Sequence, residues 1–212
     1  LTLLRSVHVS NSQMHLGIWH RFFGKRLSEV TIGIIGIGRI GTGVLEHLKG
    51  FGNPKILVND ISIKDDINNK FNVKWSSKEE IYKKSDIVSL HLPLTGETKN
   101  MIKKNHLLSM KTDAIIINTS RGGIINESDL YEVMKSGHLS GAAIDVFNEE
   151  PYNGPLKEIE RCLLTAHMGS MSIDCRARME IEATEEAVRF LTGKKLEGRV
   201  SEGEYEVQRR GL

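Results

Sequence analysis

The stretch Val30-Thr31-Ile32-Gly33-Ile34-Ile35-Gly36-Ile37-Gly38-Arg39-Ile40-Gly41-Thr42-Gly43 decides the fold. Residues 30–35 form an apolar, β-branched run and read as a buried strand. Gly36, Gly38 and Gly41 follow as G-x-G-x-x-G, closing that strand and opening a helix over 40–49. The first glycine permits a tight turn. The second, with no Cβ, lets the backbone approach a pyrophosphate, and the third lets helix pack closely on strand. The N–H groups and positive dipole end of such a helix then face phosphate. The glycine pattern alone is weak, but a strand before it and a helix after it are the context that makes it a dinucleotide cradle.

Downstream, residues 56–58 form a second strand ending at Asn59-Asp60. Asp60 lies nineteen residues beyond Gly41. An acidic side chain there accepts ribose hydroxyls and repels a 2′-phosphate, which favours NAD over NADP. Lys64, four residues further on, works against that preference. The plainer reading of Asp60 is a strand-end residue capping a turn.

Further apolar runs at 73–75, 87–90, 114–118, 139–144 and 162–165 read as strands. Between them, Ser77 caps a helix with Glu79 and Glu80 in its first turn, and residues 126–135 form another. A long helix covers 172–191, with Met179, Ala183, Ala187 and Phe190 or Leu191 at helical spacing. This alternation predicts an α/β fold, a doubly wound parallel sheet of the Rossmann type. Residues 1–29 read as a helix, with Leu3, Leu4 and Val7 on one face, followed by an aromatic arm of Trp19, Phe22 and Phe23. That arm either packs on the domain's own sheet or buries itself in a second subunit. The predicted division is 1–29 helix and arm, 30–171 dinucleotide-binding domain, 172–192 helix, and 193–212 a charged tail with no assigned order.

The 212 residues carry a net charge of +2, too little to argue for nucleic acid. No run approaches the ~20 apolar residues of a membrane span. Cys162 and Cys175 lack C-x-x-C spacing. They read as reduced thiols of a cytoplasmic protein, with neither a disulfide nor a metal site.

Three ionisable side chains, Arg121, Glu150 and His167, stand just past three different strand ends. Strand C-termini share one edge of a parallel sheet, so these groups converge beside a cofactor. An arginine fork holds a carboxylate and polarises a neighbouring carbonyl. A histidine exchanges a proton near neutral pH, and a carboxylate beside it stabilises imidazolium. Each residue alone has an ordinary explanation, and Glu149 is as available as Glu150. His91, at another strand end, reads on residues alone as a satisfied loop histidine.

The chain resembles the NAD-dependent D-isomer-specific 2-hydroxyacid dehydrogenases, phosphoglycerate dehydrogenase-like members included, over nearly all of residues 1–200. The resemblance rests on the opening stretch and on His91-Leu92-Pro93-Leu94-Thr95-Gly96-Glu97-Thr98 and Ile117-Asn118-Thr119-Ser120-Arg121-Gly122-Gly123. It continues through Gly141-Ala142-Ala143-Ile144-Asp145-Val146-Phe147-Asn148-Glu149-Glu150-Pro151 and Leu164-Thr165-Ala166-His167-Met168-Gly169-Ser170. It implies that Arg121 binds the substrate's carboxylate and carbonyl, that His167 is the acid/base, and that Glu150, rather than Glu149, is its partner. It places Gly36, Gly38, Arg39, Ile40 and Gly41 at the pyrophosphate, Asp60 at the adenosine ribose, and Pro93 and Thr98, with His91, near the adenosine. Thr119, Ser120 and Asp145 fall on the nicotinamide side, where Arg121, His167 and Gly169 also face the cofactor.

The implied reaction is reversible hydride transfer between NADH and a 2-keto acid, as in phosphoglycerate dehydrogenase or, second, a glyoxylate or hydroxypyruvate reductase. A non-enzymatic NAD(H)-sensing corepressor is the alternative from another class. The family's homodimers form through the region matching 1–29. Two departures stand out. Ala166 replaces the proline usual before the histidine, which implies a looser hold on His167. The family's substrate-binding domain is built mostly from residues before the cofactor domain, and only about thirty residues precede the first strand here. The expectation is a cofactor-binding domain that binds NAD and turns over poorly by itself.

Overall fold

The computed structural model describes residues 1–198. It resolves the alternation into seven strands and seven α-helices. α1 (Val7–His15) leads to β1 (Thr31–Ile35), α2 (Arg39–Leu48) and β2 (Lys55–Asn59). Then come α3 (Asp65–Lys70), β3 (Val73–Trp75), α4 (Lys78–Lys84) and β4 (Ile87–Leu90). The second half runs α5 (Lys104–Ser109), β5 (Ile115–Asn118), α6 (Glu127–Ser136), β6 (Gly141–Ile144), β7 (Cys162–Leu164) and α7 (Ile173–Leu191). The seven strands form one parallel sheet in the order β3-β2-β1-β4-β5-β6-β7. Winding reverses between β1 and β4, so the loops after these strands diverge and open a crevice at the strand C-termini.

Alternation along β1 builds both sides of the core. Ile32 and Ile34 enter one apolar layer with Leu45, Val58 and Ile87. Ile35 enters the other with Leu57, Ile81, Val88 and Ile116. Gly33 sits between α4 and the sheet: a Cβ there would lie 2.4 Å from Ile81 Cγ2 and 2.5 Å from Ser85 Oγ. Side chains cap two of the helix starts, the first as expected. Ser77 accepts the Glu80 N–H at 3.1 Å, and Asn126 accepts the Asp129 N–H at 3.0 Å.

The N-terminal reading needs correction. The helix begins only at Val7, because Ser6 adopts a left-handed conformation with φ of 49°. Val9 is its buried residue, while Val7 is exposed. Leu3 and Leu4 precede the helix and pack against the core, and Leu3 also approaches Gly141. The short helices α3 and α5, six residues each, were not foreseen, because less than two turns shows no clear apolar period. The tail is not wholly without contacts: the N–H groups of Glu197 and Gly198 donate to the Glu186 carboxylate. The remainder of the predicted tail, 199–212, lies outside the described residues.

Candidate active site at the strand C-termini

The glycine turn has the form its sequence requires. Gly36 takes φ of 97°, and a Cβ on it would meet the His91 carbonyl oxygen at 2.3 Å. Gly41 brings α2 against the turn, since its Cβ would stand 2.0 Å from the Gly36 carbonyl oxygen. Gly38 differs from both: among the described residues nothing lies within 4 Å of its Cβ position. It is the N-cap of a ten-residue helix that has no side-chain cap. Open backbone at the positive end of a helix fits a pyrophosphate. Arg39 and Ile40 form the helix's first residues, and Ile40 is exposed.

Asp60, His91, Pro93 and Thr98 line one cleft with Gly36 and Gly38, about 460 Å³ in volume. The Asp60 carboxylate does two things there. One oxygen accepts the Ile37 N–H at 2.7 Å, tying the glycine turn to the end of β2. The other is only weakly engaged, by the Ser62 N–H at 3.4 Å. His91 Nε2 lies 2.9 Å from Ser89 Oγ. Its Nδ1 is buried and has no partner among the described residues. His91 is therefore half satisfied, and burial pushes its pKa down, favouring the neutral ring. That Nδ1 is a buried polar atom at the wall of the cleft, which a bound group would satisfy. Thr98 braces its own loop by donating to the Pro93 carbonyl at 2.7 Å.

The second half of the site is built from the loops after β5, β6 and β7. Asn118, buried at the end of β5, accepts the Ser120 N–H and hydroxyl at 3.1 and 2.8 Å and donates to the Arg121 carbonyl at 2.9 Å. It shapes the Thr119-Ser120-Arg121 turn, on which Thr119 is exposed. Gly122 presses that turn against the next loop: a Cβ would lie 1.9 Å from the Phe147 carbonyl oxygen. Glu150 is fixed at both oxygens. Oε1 accepts the Phe147 N–H at 3.0 Å, and Oε2 lies 2.9 Å from His167 Nδ1. The His167 hydrogen bond, then the Phe147 N–H, hold the Glu150 carboxyl below the usual carboxylate range. Glu149 lines a separate hollow with Glu127 and Asn148.

His167 has φ of 52°, a conformation that costs a non-glycine residue about 1–2 kcal/mol. Asp145, buried, holds the turn. Its carbonyl accepts the His167 N–H and its Oδ1 accepts the Met168 N–H, each at 2.9 Å, and Oδ1 also takes the Thr165 hydroxyl. Gly169 follows, its Cβ position 3.8 Å from Asp145 Oδ2. Arg121, Glu150 and His167 share one hollow of about 460 Å³ with Lys99. A larger cleft of about 650 Å³ also reaches Glu150 and His167 but lacks Arg121. Sequence reasoning missed Asn118, Gly122 and Thr165 as organisers of these loops. Only the polar Asn118 closing a fully apolar strand carried a readable signal.

The sequence model of the D-isomer specific 2-hydroxyacid dehydrogenase, NAD binding domain, matches residues 1–169. The chain belongs to that family. NAD is therefore its cofactor, in keeping with the open Gly38 backbone and the uncapped α2.

A glyoxylate reductase from Korarchaeum cryptofilum is 38% identical over 180 residues, 83% of this chain and 54% of the relative. A D-3-phosphoglycerate dehydrogenase from Bacillus subtilis is 32% identical over 195 residues, 91% of this chain and 37% of the relative. Among solved structures, an NAD-dependent formate dehydrogenase from Staphylococcus aureus in complex with NAD is similar with a TM-score of 0.83 at 31% identity, covering 95% of this chain and 62% of that one. The chain spans about half the length of the glyoxylate reductases it matches. Among the described residues, no group of three or more His, Cys, Asp or Glu side chains is placed to hold a metal ion. Within them, no helix is long and apolar enough to cross a membrane. Both cysteines are free, and burial raises the Cys162 thiol to about 12.

Proposed function

We propose that the protein is an NAD-dependent oxidoreductase interconverting D-2-hydroxy acids and 2-keto acids. The observation that carries this reading is the 2.9 Å contact of His167 Nδ1 with Glu150, in one hollow with Arg121. Bound NAD supplies the hydride chemistry. The protein's residues have the remaining tasks. An ionised Glu150 only accepts hydrogen bonds, so His167 carries its proton on Nδ1 toward Glu150. Nε2 is then the nitrogen that gives a proton to a keto oxygen or takes one from a hydroxyl. Glu150 stabilises the imidazolium formed on the way. Arg121 holds the substrate carboxylate through its fork of donors. Oxidation of formate anion to carbon dioxide moves no proton, so a His–Glu pair favours a hydroxy acid over the formate of the solved neighbour.

Glyoxylate is the first substrate to test, because relatives named for it are more similar than those named for 3-phosphoglycerate. This reverses the order suggested by the sequence motifs. In the full-length protein, NADH oxidation with glyoxylate and larger 2-keto acids is expected, and H167N should slow kcat by about 10²–10⁴-fold. NADH affinity should fall far less than kcat, since the cleft at the glycine turn and Asp60 is lined by other residues. An H167N protein with undiminished rate refutes the acid/base role. NADH binding with no turnover of any 2-keto acid supports the NAD(H)-sensing alternative instead. A homodimer formed through the aromatic arm, and a cytoplasmic location, complete the proposal.

A further inference from the structure

The hollow that holds Arg121, Glu150 and His167 has one more charged wall, Lys99, from the loop after β4. Backbone hydrogen bonds fix where that residue stands. The Lys99 N–H donates to the Thr95 carbonyl at 2.9 Å, closing a turn. Asn100 takes a left-handed φ of 50° and donates its N–H to the Gly123 carbonyl at 2.6 Å. Ile102, fully buried, then donates to the Ile124 carbonyl at 3.1 Å and forms a parallel bridge with Ile125. Lys99 is thereby tied, through its own neighbours, to the loop that carries Arg121.

The charges lining this hollow do not balance. Its carboxylate, Glu150, is engaged at both oxygens, by the Phe147 N–H and by His167. Arg121 gives one donor to the uncharged Ser120 carbonyl at 2.7 Å. Lys99 is exposed, and among the described residues its ammonium has no hydrogen-bond or ion-pair partner. Two cations therefore line the hollow against one carboxylate that is already occupied. A 2-keto acid with its carboxylate on Arg121 and its keto oxygen at His167 answers only the first of them. An ammonium is a three-donor point charge on a flexible stem, so it accepts a carboxylate or a phosphate equally. We propose that Lys99 is a specificity-determining residue, which selects 2-keto acids carrying a second anionic group on the chain beyond the keto carbon. Glyoxylate has no such chain and leaves Lys99 without an anion. The inference rests on the dehydrogenase reading of Arg121, Glu150 and His167, and its test separates the two.

The test measures kcat and KM of the full-length protein with NADH and two pairs of substrates. One pair is 2-ketoglutarate against 2-ketovalerate, and the other 3-phosphohydroxypyruvate against hydroxypyruvate. Wild type should prefer the charged member of at least one pair by about fivefold in kcat/KM, as expected for an exposed ion pair. The pair that responds tells whether carboxylate or phosphate is taken. K99M should reduce that preference to less than about twofold, mainly by raising KM for the charged member, because the contact is the same in ground and transition states. K99R keeps the charge and should keep the preference. The wild-type preference should shrink as salt rises, and the residual one in K99M should not.

A wild type that reduces 2-keto acids with less than about twofold preference in both pairs overturns the proposal and leaves the dehydrogenase reading standing. So does a preference that survives in K99M, which assigns the second anion to other cations. A K99M protein that loses kcat on charged and uncharged substrates alike makes Lys99 a support for the Arg121 loop only. If wild type binds NADH and reduces no 2-keto acid, the dehydrogenase reading itself fails and the proposal with it. Should K99M not fold, K99Q removes the charge with a polar side chain and decides in its place.

Discussion

At the residue scale, His167 illustrates how a functional conformation is held. The alanine before it suggested a slack turn, since proline is the family's usual residue there. The turn is instead braced from below. Asp145 takes the His167 N–H on its carbonyl and the Met168 N–H and Thr165 hydroxyl on its carboxylate. This offsets the left-handed φ of His167 through contacts that residue 166 does not make. T165V should therefore lower stability by about 1 kcal/mol, the usual worth of one hydrogen bond, with T165S losing less. Urea unfolding midpoints check this, and a T165V midpoint equal to wild type would show that the hydroxyl contributes nothing. The convergence of Arg121, Glu150 and His167 on one hollow was legible because strand ends of a parallel sheet share one edge. The choice between Glu149 and Glu150 was not legible from the residues alone. Two adjacent carboxylates in one exposed turn differ only in which reaches the Phe147 N–H, and that depends on the path of the backbone. Thr165 stayed unread for the same reason: its partner Asp145 is brought to it by closure of loops, not by local spacing.

At the element scale, the strands were readable because burial on both faces leaves nearly continuous apolar runs. The order of the loops at the sheet edge followed from the parallel topology. How closely those loops touch did not follow. Gly122 is the clearest case, since its Cβ would stand 1.9 Å from a backbone oxygen that no rotamer can move. G122A should cost about 3 kcal/mol, the upper end for overpacking, and should part the Arg121 turn from the loop bearing Glu150. A chemical denaturation midpoint within error of wild type would mean that the two loops shift apart freely.

A second prediction concerns the tie between β3 and α4. Glu80 accepts from Lys74 at 2.8 Å and from Lys84 at 2.7 Å. These hydrogen bonds lower its carboxyl from 4.5 to about 2. A carboxyl depressed on folding stabilises above its unfolded pKa, and that contribution is lost as pH falls toward the folded value. Wild type should therefore melt slightly above E80Q at pH 7, with the gap closing between pH 4.5 and about 2. Glu80 is only partly buried and its lysine partners are exposed, so the gap is small and shrinks in salt. A gap that widens on acidification would reverse the assigned sign.

At the scale of the whole molecule, the N-terminal segment is where sequence reading ran out. Its two alternatives divide between its residues. Leu3, Leu4 and Val9 pack on the domain itself, whereas Trp19 is 79% exposed and Phe23 fully so. Apolar periodicity tells that a surface is covered but not by what, and aromatic residues serve a core and an interface equally well. Exposed aromatic side chains beyond the domain's own core are the composition of an interface core, which supports the proposed homodimer. Light scattering at micromolar concentration should give the mass of two chains, and W19S/F23S should give the mass of one with an unchanged melting temperature. The unchanged melting temperature matters, because these side chains add little to the domain's own packing. α7 offers a competing surface, with Phe190 72% and Leu191 81% exposed. If W19S/F23S retains the mass of two chains, the arm is not the contact and α7 becomes the face to alter. A wild-type mass of one chain removes the dimer altogether, leaving both apolar surfaces to be covered by something other than a second copy.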